Sequence, residues 1–150
     1  MSELRELYQE LIIDHGRNPR NFGVLPNSMH QKDGYNPLCG DKVSLYINLK
    51  KNMINEIVFN GSGCAICMAS ASLMTEALSG KPVAYAKDLF ESFRTLITGE
   101  YCSESLKEKL GKLTVLSGVC EFPARVKCAS LAWHTLKAIL INDDSIISTE

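Results

Sequence analysis

Val43–Asn60 reads VSLYINLKKNMINEIVFN. Val43, Leu45, Ile47 and Leu49 alternate with Ser44, Tyr46, Asn48 and Lys50, the two-residue period of a strand with one face buried. Lys51-Asn52 follows, and Asn52 tolerates the left-handed backbone that a tight hairpin needs. A second strand then runs from Met53 to Asn60. This antiparallel hairpin is the first fixed point of the fold.

Helical periodicity surrounds it. Leu4, Leu7, Tyr8, Leu11 and Ile12 fall on one face of an amphipathic helix, with Ser2 as its cap and Glu3 and Glu6 at its positive end. Gly16 and Pro19 stop that helix. Residues 16–40 are rich in Gly, Pro and Asn and read as loop and extended chain, with a short strand near Ser28–Gln31. Beyond the hairpin, Ala65–Ser79 is a largely apolar helix closed by Gly80 and Pro82. Val83–Ile97 is amphipathic, with Ala86, Leu89, Phe90, Phe93, Leu96 and Ile97 on one stripe. Ser103 caps a short helix to Leu110, and Leu113–Leu116 adds one turn. Pro123 suits the first turn of a last helix, which runs to about Ile141. The tail, Asn142–Glu150, reads as frayed. Strands first and helices later make an α+β fold: a small antiparallel sheet of about three strands against five or six helices. No internal repeat or linker interrupts it, so residues 1–150 read as a single domain.

The chain has 150 residues, 45% of them hydrophobic and 22% charged, with a net charge of −1. That composition is globular and offers no field to gather nucleic acid or an anionic membrane. No apolar run approaches the roughly 18 residues of a membrane span. Met1–Glu10 lacks the apolar core of a signal peptide. The expected compartment is cytoplasmic, where the six cysteines are expected to serve as metal ligands, redox thiols or core residues instead of structural disulfides.

Those cysteines are Cys39, Cys64, Cys67, Cys102, Cys120 and Cys128. If Lys50 faces Met53, paired residue numbers sum to 103 and Cys39 lies opposite Cys64. A three-residue loop gives a sum of 102 and aligns Val43 with Phe59 better. In either register both thiols reach the open end of the hairpin, where cross-strand Cβ atoms stand roughly 5 Å apart. Asp41, two residues from Cys39, shares its face of the strand. Cys39, Asp41 and Cys64 therefore converge. A tetrahedral zinc site needs a fourth ligand. Cys67, Cys102, Cys120, Cys128, His15, His30 and His134 are the candidates. Cys128 lies near the start of the last helix, whose dipole lowers a thiol pKa, with Arg125 and Lys127 close by. Cys67 is its rival, because Cys64-x-x-Cys67 is also the spacing of a dithiol redox pair. Cys102 and Cys120 read as bystanders, the three histidines as surface or loop residues, and Met68 and Met74 as helix core.

Four stretches resemble the IscU/NifU-like iron–sulfur cluster assembly family. Asn36-Pro37-Leu38-Cys39-Gly40-Asp41 is similar to its N-P-x-C-G-D motif. Gly61-Ser62-Gly63-Cys64-Ala65-Ile66 with Ala69-Ser70 is similar to its second cysteine motif, and Lys127-Cys128-Ala129 with Leu131-Ala132-Trp133 to its third. Asp14-His15-Gly16-Arg17-Asn18-Pro19-Arg20-Asn21 looks like its N-terminal segment. The SufU branch is the closer match. Lys127 stands where scaffold members carry a histidine, and Glu121-Phe122-Pro123-Ala124-Arg125 where they carry a chaperone-docking stretch. The stretch from about Glu100 to Val119 looks like the SufU insertion. Cys67 and Cys120 are not part of the family pattern.

The resemblance implies an IscU/NifU-like fold and a Zn²⁺ site formed by Cys39, Asp41, Cys64 and Cys128. It also implies a PLP-dependent, SufS-like cysteine desulfurase as sulfur donor and downstream iron–sulfur assembly machinery as recipient. On that reading the protein is a zinc-dependent sulfurtransferase, a sulfur shuttle. Cys39 is the expected sulfur acceptor, because it sits in a loop between Pro37 and Gly40 while Cys64 and Cys128 are tied to helices. Arg125, a cation beside an anionic site, is the expected partner contact. The alternative is a scaffold that assembles an iron–sulfur cluster, or binds iron, on the same cysteines; Lys127 offers no ligand comparable to histidine. A purely structural zinc module fits Asp41 poorly, since closed structural sites use Cys and His. A Cys64–Cys67 oxidoreductase lacks the βαβ context such proteins have.

Overall fold

In a computed structural model that describes residues 2–141 and 147–148, with side chains for 6–141, the hairpin organises the sheet. Strand β2 spans Asp41–Lys50 and β3 spans Met53–Ser62. Lys51 and Asn52 both have positive φ, 53° and 63°, as a two-residue turn matching the strand twist requires. The register changes along the ladder. Lys50 pairs with Met53 and Leu49 with Ile54, but Asn48 pairs with Glu56, and the new offset holds to Lys42 opposite Ser62. Neither single register expected from the sequence holds throughout. Asn55 is the extra residue of a β-bulge, and the cause is visible in the apolar spacing. Ile54 and Ile57 are both buried yet three apart, so one face can take both only if the strand gains a residue between them.

Strand β1 spans His30–Asn36 and pairs antiparallel with β2, His30 opposite Ile47 and Asn36 opposite Asp41. It is longer than the Ser28–Gln31 strand expected. Its sequence, HQKDGYN, has no apolar alternation; the ladder to β2 and the last helix packed across it hold it in place. Ile147–Ser148, β4, pairs in parallel with Gly34 and Tyr35, giving the order β3-β2-β1-β4. The sheet is thus three antiparallel strands with a two-residue parallel edge.

The helices are α1 (Ser2–Arg17), α2 (Ala65–Leu78), α3 (Val83–Ile97), α4 (Glu104–Leu110) and α5 (Pro123–Leu140). The Ser2 side chain, expected as the cap, and the tail residues 142–146 and 149–150 lie outside what is described. Ser103 caps α4 by accepting from the Leu106 N–H. The single turn expected at Leu113–Leu116 is a 3₁₀ helix, Gly111–Glu121. Leu113, Leu116 and Val119 are buried at a spacing of three, which a three-residue turn places on one face. None of the described helices is long and apolar enough to cross a membrane.

Helix α2 is buried almost all round, between the sheet, α1 and α5, and Met68 and Met74 are core residues within it. Its polar side chains are consumed by neighbours. Ser70 donates to the Ala129 carbonyl and accepts from Trp133 Nε1, while Trp133 stacks on Phe93. Ser72 holds His15 Nδ1 at 2.7 Å and the Arg20 N–H at 2.8 Å. His15, expected at the surface, is fully buried: α1 ends against α2, and Ser72 gives the ring a partner there. Burial lowers the His15 pKa.

Helix α5 crosses β1 at Gly34, where a Cβ would collide with the Thr135 hydroxyl and press on Leu131. We expect Gly34→Ala to cost about 1–3 kcal/mol through overpacking, read as a lower urea midpoint with an unchanged slope. A wild-type midpoint would contradict this packing.

Candidate metal centre

The strand ends and two helix starts meet at one edge of the sheet. Between β1 and β2 the chain turns tightly: the Cys39 N–H donates to the Asn36 carbonyl at 3.3 Å, and Gly40 takes a positive φ of 71°. Cys39 is exposed on this turn, beside Leu38, which is 66% exposed. Asp41 follows and is buried at 2% exposure. Both its oxygens are engaged: Oδ1 accepts from the Cys64 N–H at 2.9 Å and Oδ2 from Asn36 Nδ2 at 3.1 Å. The approach needs glycine at position 63, where a Cβ would lie 2.5 Å from Asp41 Oδ1.

Cys64 caps α2, its Sγ accepting from the Cys67 N–H at 3.4 Å. Cys128 is the sixth residue of α5 and is buried; its Sγ accepts from Asn36 Nδ2 at 3.4 Å. Ligand atoms of Cys39, Asp41 and Cys128 all lie within 4.8 Å of one another. Cys64 is outside that trio and touches it through its N–H on Asp41. Three of the four sequence candidates therefore form a compact cluster, and the fourth borders it through Asp41.

The cluster is electrostatically tense without a cation. Burial pushes the Cys128 thiol pKa up, and its neighbours Asp41, Cys39 and Cys64 raise it further. The sequence expectation was the opposite, a pKa lowered by the helix dipole. Cys128 lies more than a turn inside α5, beyond the free N–H groups that carry the dipole's effect, and it faces acidic neighbours. Cys67 is fully buried, and burial first, then Asp41, Cys64 and Cys39, drive its pKa up as well. That makes it a protonated core thiol at neutral pH. Cys102 is half-buried and Cys120 is exposed against Gly99; neither joins the cluster. His15 is engaged with Ser72 and His134 lies edge-on to Phe90.

Arg125 is exposed, one helical turn before Cys128, with its guanidinium 4.6 Å from the Phe122 ring centre. Asn36 is the residue the sequence reading did not single out. It is fully buried and donates to both Asp41 and Cys128. Its only sequence signal was its place at the head of the Asn-Pro-x-Cys-Gly-Asp stretch, where an asparagine before proline reads as a turn residue.

The donor set fits a thiophilic divalent ion. In a tetrahedral Zn²⁺ site with Zn–S of about 2.3 Å, sulfurs stand roughly 3.8 Å apart. The ligand atoms of the trio, within 4.8 Å of one another, stand close to that spacing. Three thiolates and one carboxylate would leave the centre with a charge of about −2.

Comparison with known proteins agrees with this architecture. Residues 7–142 match the family model described as the NifU-like N terminal domain. The zinc-dependent sulfurtransferase SufU of Bacillus subtilis is 41% identical over 136 residues, 91% of this chain and 90% of that protein. The iron–sulfur cluster assembly scaffold protein IscU of Streptococcus pyogenes is 36% identical over 137 residues, 91% of this chain and 84% of that one. The crystal structure of a candidate iron–sulfur cluster assembly scaffold protein for the SUF system from Fervidobacterium islandicum superposes with a TM-score of 0.83 at 31% identity, covering 91% of this chain and 98% of that one. The chain belongs to the NifU-like N-terminal domain family of iron–sulfur cluster assembly proteins.

Proposed function

We propose that this protein is a zinc-dependent sulfur acceptor, a single domain over residues 1–150 acting in the cytoplasm. It takes sulfane sulfur from the persulfide of a PLP-dependent cysteine desulfurase at Cys39 and passes it to the downstream iron–sulfur assembly machinery. The observation that carries this reading is the inequality of the clustered thiols. Cys39 is exposed on a turn held by one backbone hydrogen bond, whereas Cys128 is buried in α5 and Cys64 caps α2. Among the clustered thiols Cys39 is the exposed one, so it meets a partner's sulfur with the least rearrangement.

Cys39, Asp41, Cys64 and Cys128 are the residues that would hold zinc. Bound Zn²⁺ keeps coordinated thiols deprotonated at neutral pH. The rest is done by the chain. The Cys39 thiolate attacks the terminal sulfur of the desulfurase persulfide. A new S–S bond forms on Cys39, the desulfurase S–S bond breaks, and the desulfurase cysteine leaves as thiolate, so no outside oxidant or reductant is needed. Asp41, braced from both sides, and buried Cys128 hold their places while the turn moves. Protein purified anaerobically without added iron should carry stoichiometric zinc and be colourless. A coloured, iron-rich preparation would favour direct cluster assembly instead.

The ligand set has a direct consequence. Cys128→Ala and Cys64→Ala should lose zinc and several kcal/mol of stability, and Asp41→Ala should bind it more weakly. Cys67→Ala should keep it. Metal analysis decides; full retention in both Cys64→Ala and Cys128→Ala would end the assignment.

For sulfur transfer, Cys39→Ser should still bind the desulfurase but accept no sulfur. Peptide mass spectrometry after reaction with desulfurase and cysteine should find the added sulfur on Cys39 in the wild type. Sulfur mainly on Cys64, Cys67 or Cys128 would overturn the role.

Arg125 stands exposed with Phe122 and offers a cation and an aromatic edge beside the centre. Arg125→Ala at equal zinc content should raise the concentration of this protein needed for half-maximal stimulation of the desulfurase. Equal stimulation would leave Arg125 no docking role.

A further inference from the structure

We infer that Asn36 is the positioning residue of the metal centre, a single side chain and carbonyl that set three of its four ligands at once; this rests on the zinc reading above. Its backbone carbonyl accepts the Cys39 N–H at 3.3 Å and closes the turn that presents the acceptor thiol. Its carboxamide nitrogen spends one hydrogen on Asp41 Oδ2 at 3.1 Å and the other on Cys128 Sγ at 3.4 Å. Asn36 ends β1 directly opposite Asp41 in the ladder, so sheet register fixes it relative to both. It therefore ties a turn, a strand and α5 together at the point where their donor atoms meet.

The other end of the amide shows that this arrangement serves the site and not packing alone. Asn36 Oδ1 is buried and has no hydrogen-bond partner. A buried unpaired carbonyl is costly, and an apolar side chain would escape that cost. Flipping the amide would not help. The oxygen would then face the Asp41 carboxylate, and that bond would become a repulsion. The orientation is set by the two acceptors, and the unpaired oxygen is its consequence.

Metal ligands need their second contacts to hold their orientation, and losing such a contact typically weakens binding by roughly 10- to 100-fold. The amide does two different things. It restrains Asp41 so that a lone pair stays free toward the centre, and it gives Cys128 sulfur a donor that persists when the thiol proton is gone. Cys39 receives only a backbone contact, so the restraint falls on the ligands that stay and spares the one that moves.

The decisive comparison is Asn36→Asp against Asn36→Ala, with zinc affinity measured by chelator competition. Circular dichroism and melting of the metal-free forms serve as controls, and the thiolate charge-transfer bands of Co²⁺-loaded protein as a spectroscopic reading. Aspartate keeps the size of asparagine but cannot donate, and it places a second carboxylate against Asp41 and Cys128. Positioning predicts that both variants lose at least about tenfold in zinc affinity. It also predicts that aspartate loses more than alanine and that the Co²⁺ bands shift. A packing role predicts the reverse order, because alanine leaves the cavity. Alanine weaker than aspartate, or either loss below about tenfold, overturns the inference. If aspartate does not fold, the alanine loss in folded protein decides by the same threshold. A wild-type protein that binds no zinc overturns both this inference and the metal reading. Zinc results as expected with sulfur arriving elsewhere than Cys39 would overturn only the acceptor role.

Discussion

Asp41 is the point on which the site is built. Its carboxylate is buried at the start of β2 and bridges two parts of the chain that the sequence keeps far apart. One oxygen receives the first free N–H of α2, through Cys64; the other receives the amide of Asn36 at the end of β1. A carboxylate at a helix start lies at the positive end of the helix dipole, a favourable placement. The same contact brings Cys64 up against the sheet edge. Removing the carboxylate would leave one amide hydrogen of Asn36 and a helix N–H without acceptors, so the fold and the site share this group.

The sheet delivers Asp41 to that position through the bulge at Asn55. Beyond the bulge the pairing offset is fixed by buried Ile57 and Phe59 facing Val43, Leu45 and Ile47. Extended by the same count, it puts Asp41 beside Gly63, where any side chain would strike the carboxylate. A slip of one residue would turn the apolar set outward, so the hydrophobic core itself guards the geometry of the ligands. Helices α2 and α5 complete the frame by packing on one another through Ser70, Ala129 and Trp133. That packing brings Cys128 to the same edge.

What the sequence displayed and what it hid follow one physical line. The hairpin, α2, α3 and α5 were legible because their partner is the core, and core contact imprints a period on the chain. Strand β1 carries no such period, because its pairing is made by backbone groups that every residue has. The bulge was invisible for a related reason: Ile54 and Ile57 look like an interrupted alternation until the face they share is known. His15 looked like a surface residue because its partner, Ser72, lies 57 residues away. In the cluster, the convergence of Cys39 and Asp41 could be read from strand parity. Cys128 entered through its helix and through the family resemblance. Asn36 was missed because an amide next to a ligand has no spacing rule of its own. The direction of the Cys128 pKa was misjudged because a dipole is a property of one helix, whereas burial and acidic neighbours are properties of the assembled site.

The cluster also separates strength from mobility. Affinity for a metal is best supplied by ligands that cannot relax, and Cys128 and Asp41 are buried on regular elements. Exchange of sulfur with another protein needs a ligand that can leave, and Cys39 sits on a turn with a left-handed glycine after it. Gly40 has open space around its missing Cβ, unlike Gly61 and Gly63, which are hemmed in by Lys42 and Asp41. Gly61 at the end of β3 and Gly63 just after it therefore permit close packing, while the glycine on the turn leaves it free of side-chain contacts. For the proposed function a centre of one sort only would fail: four rigid ligands would keep the thiol from a partner, and four mobile ones would not hold the ion between encounters. Cys67 fits this division by what it does not offer. It is buried and protonated, so under the proposed sulfur transfer Cys39 is the clustered thiol left facing outward.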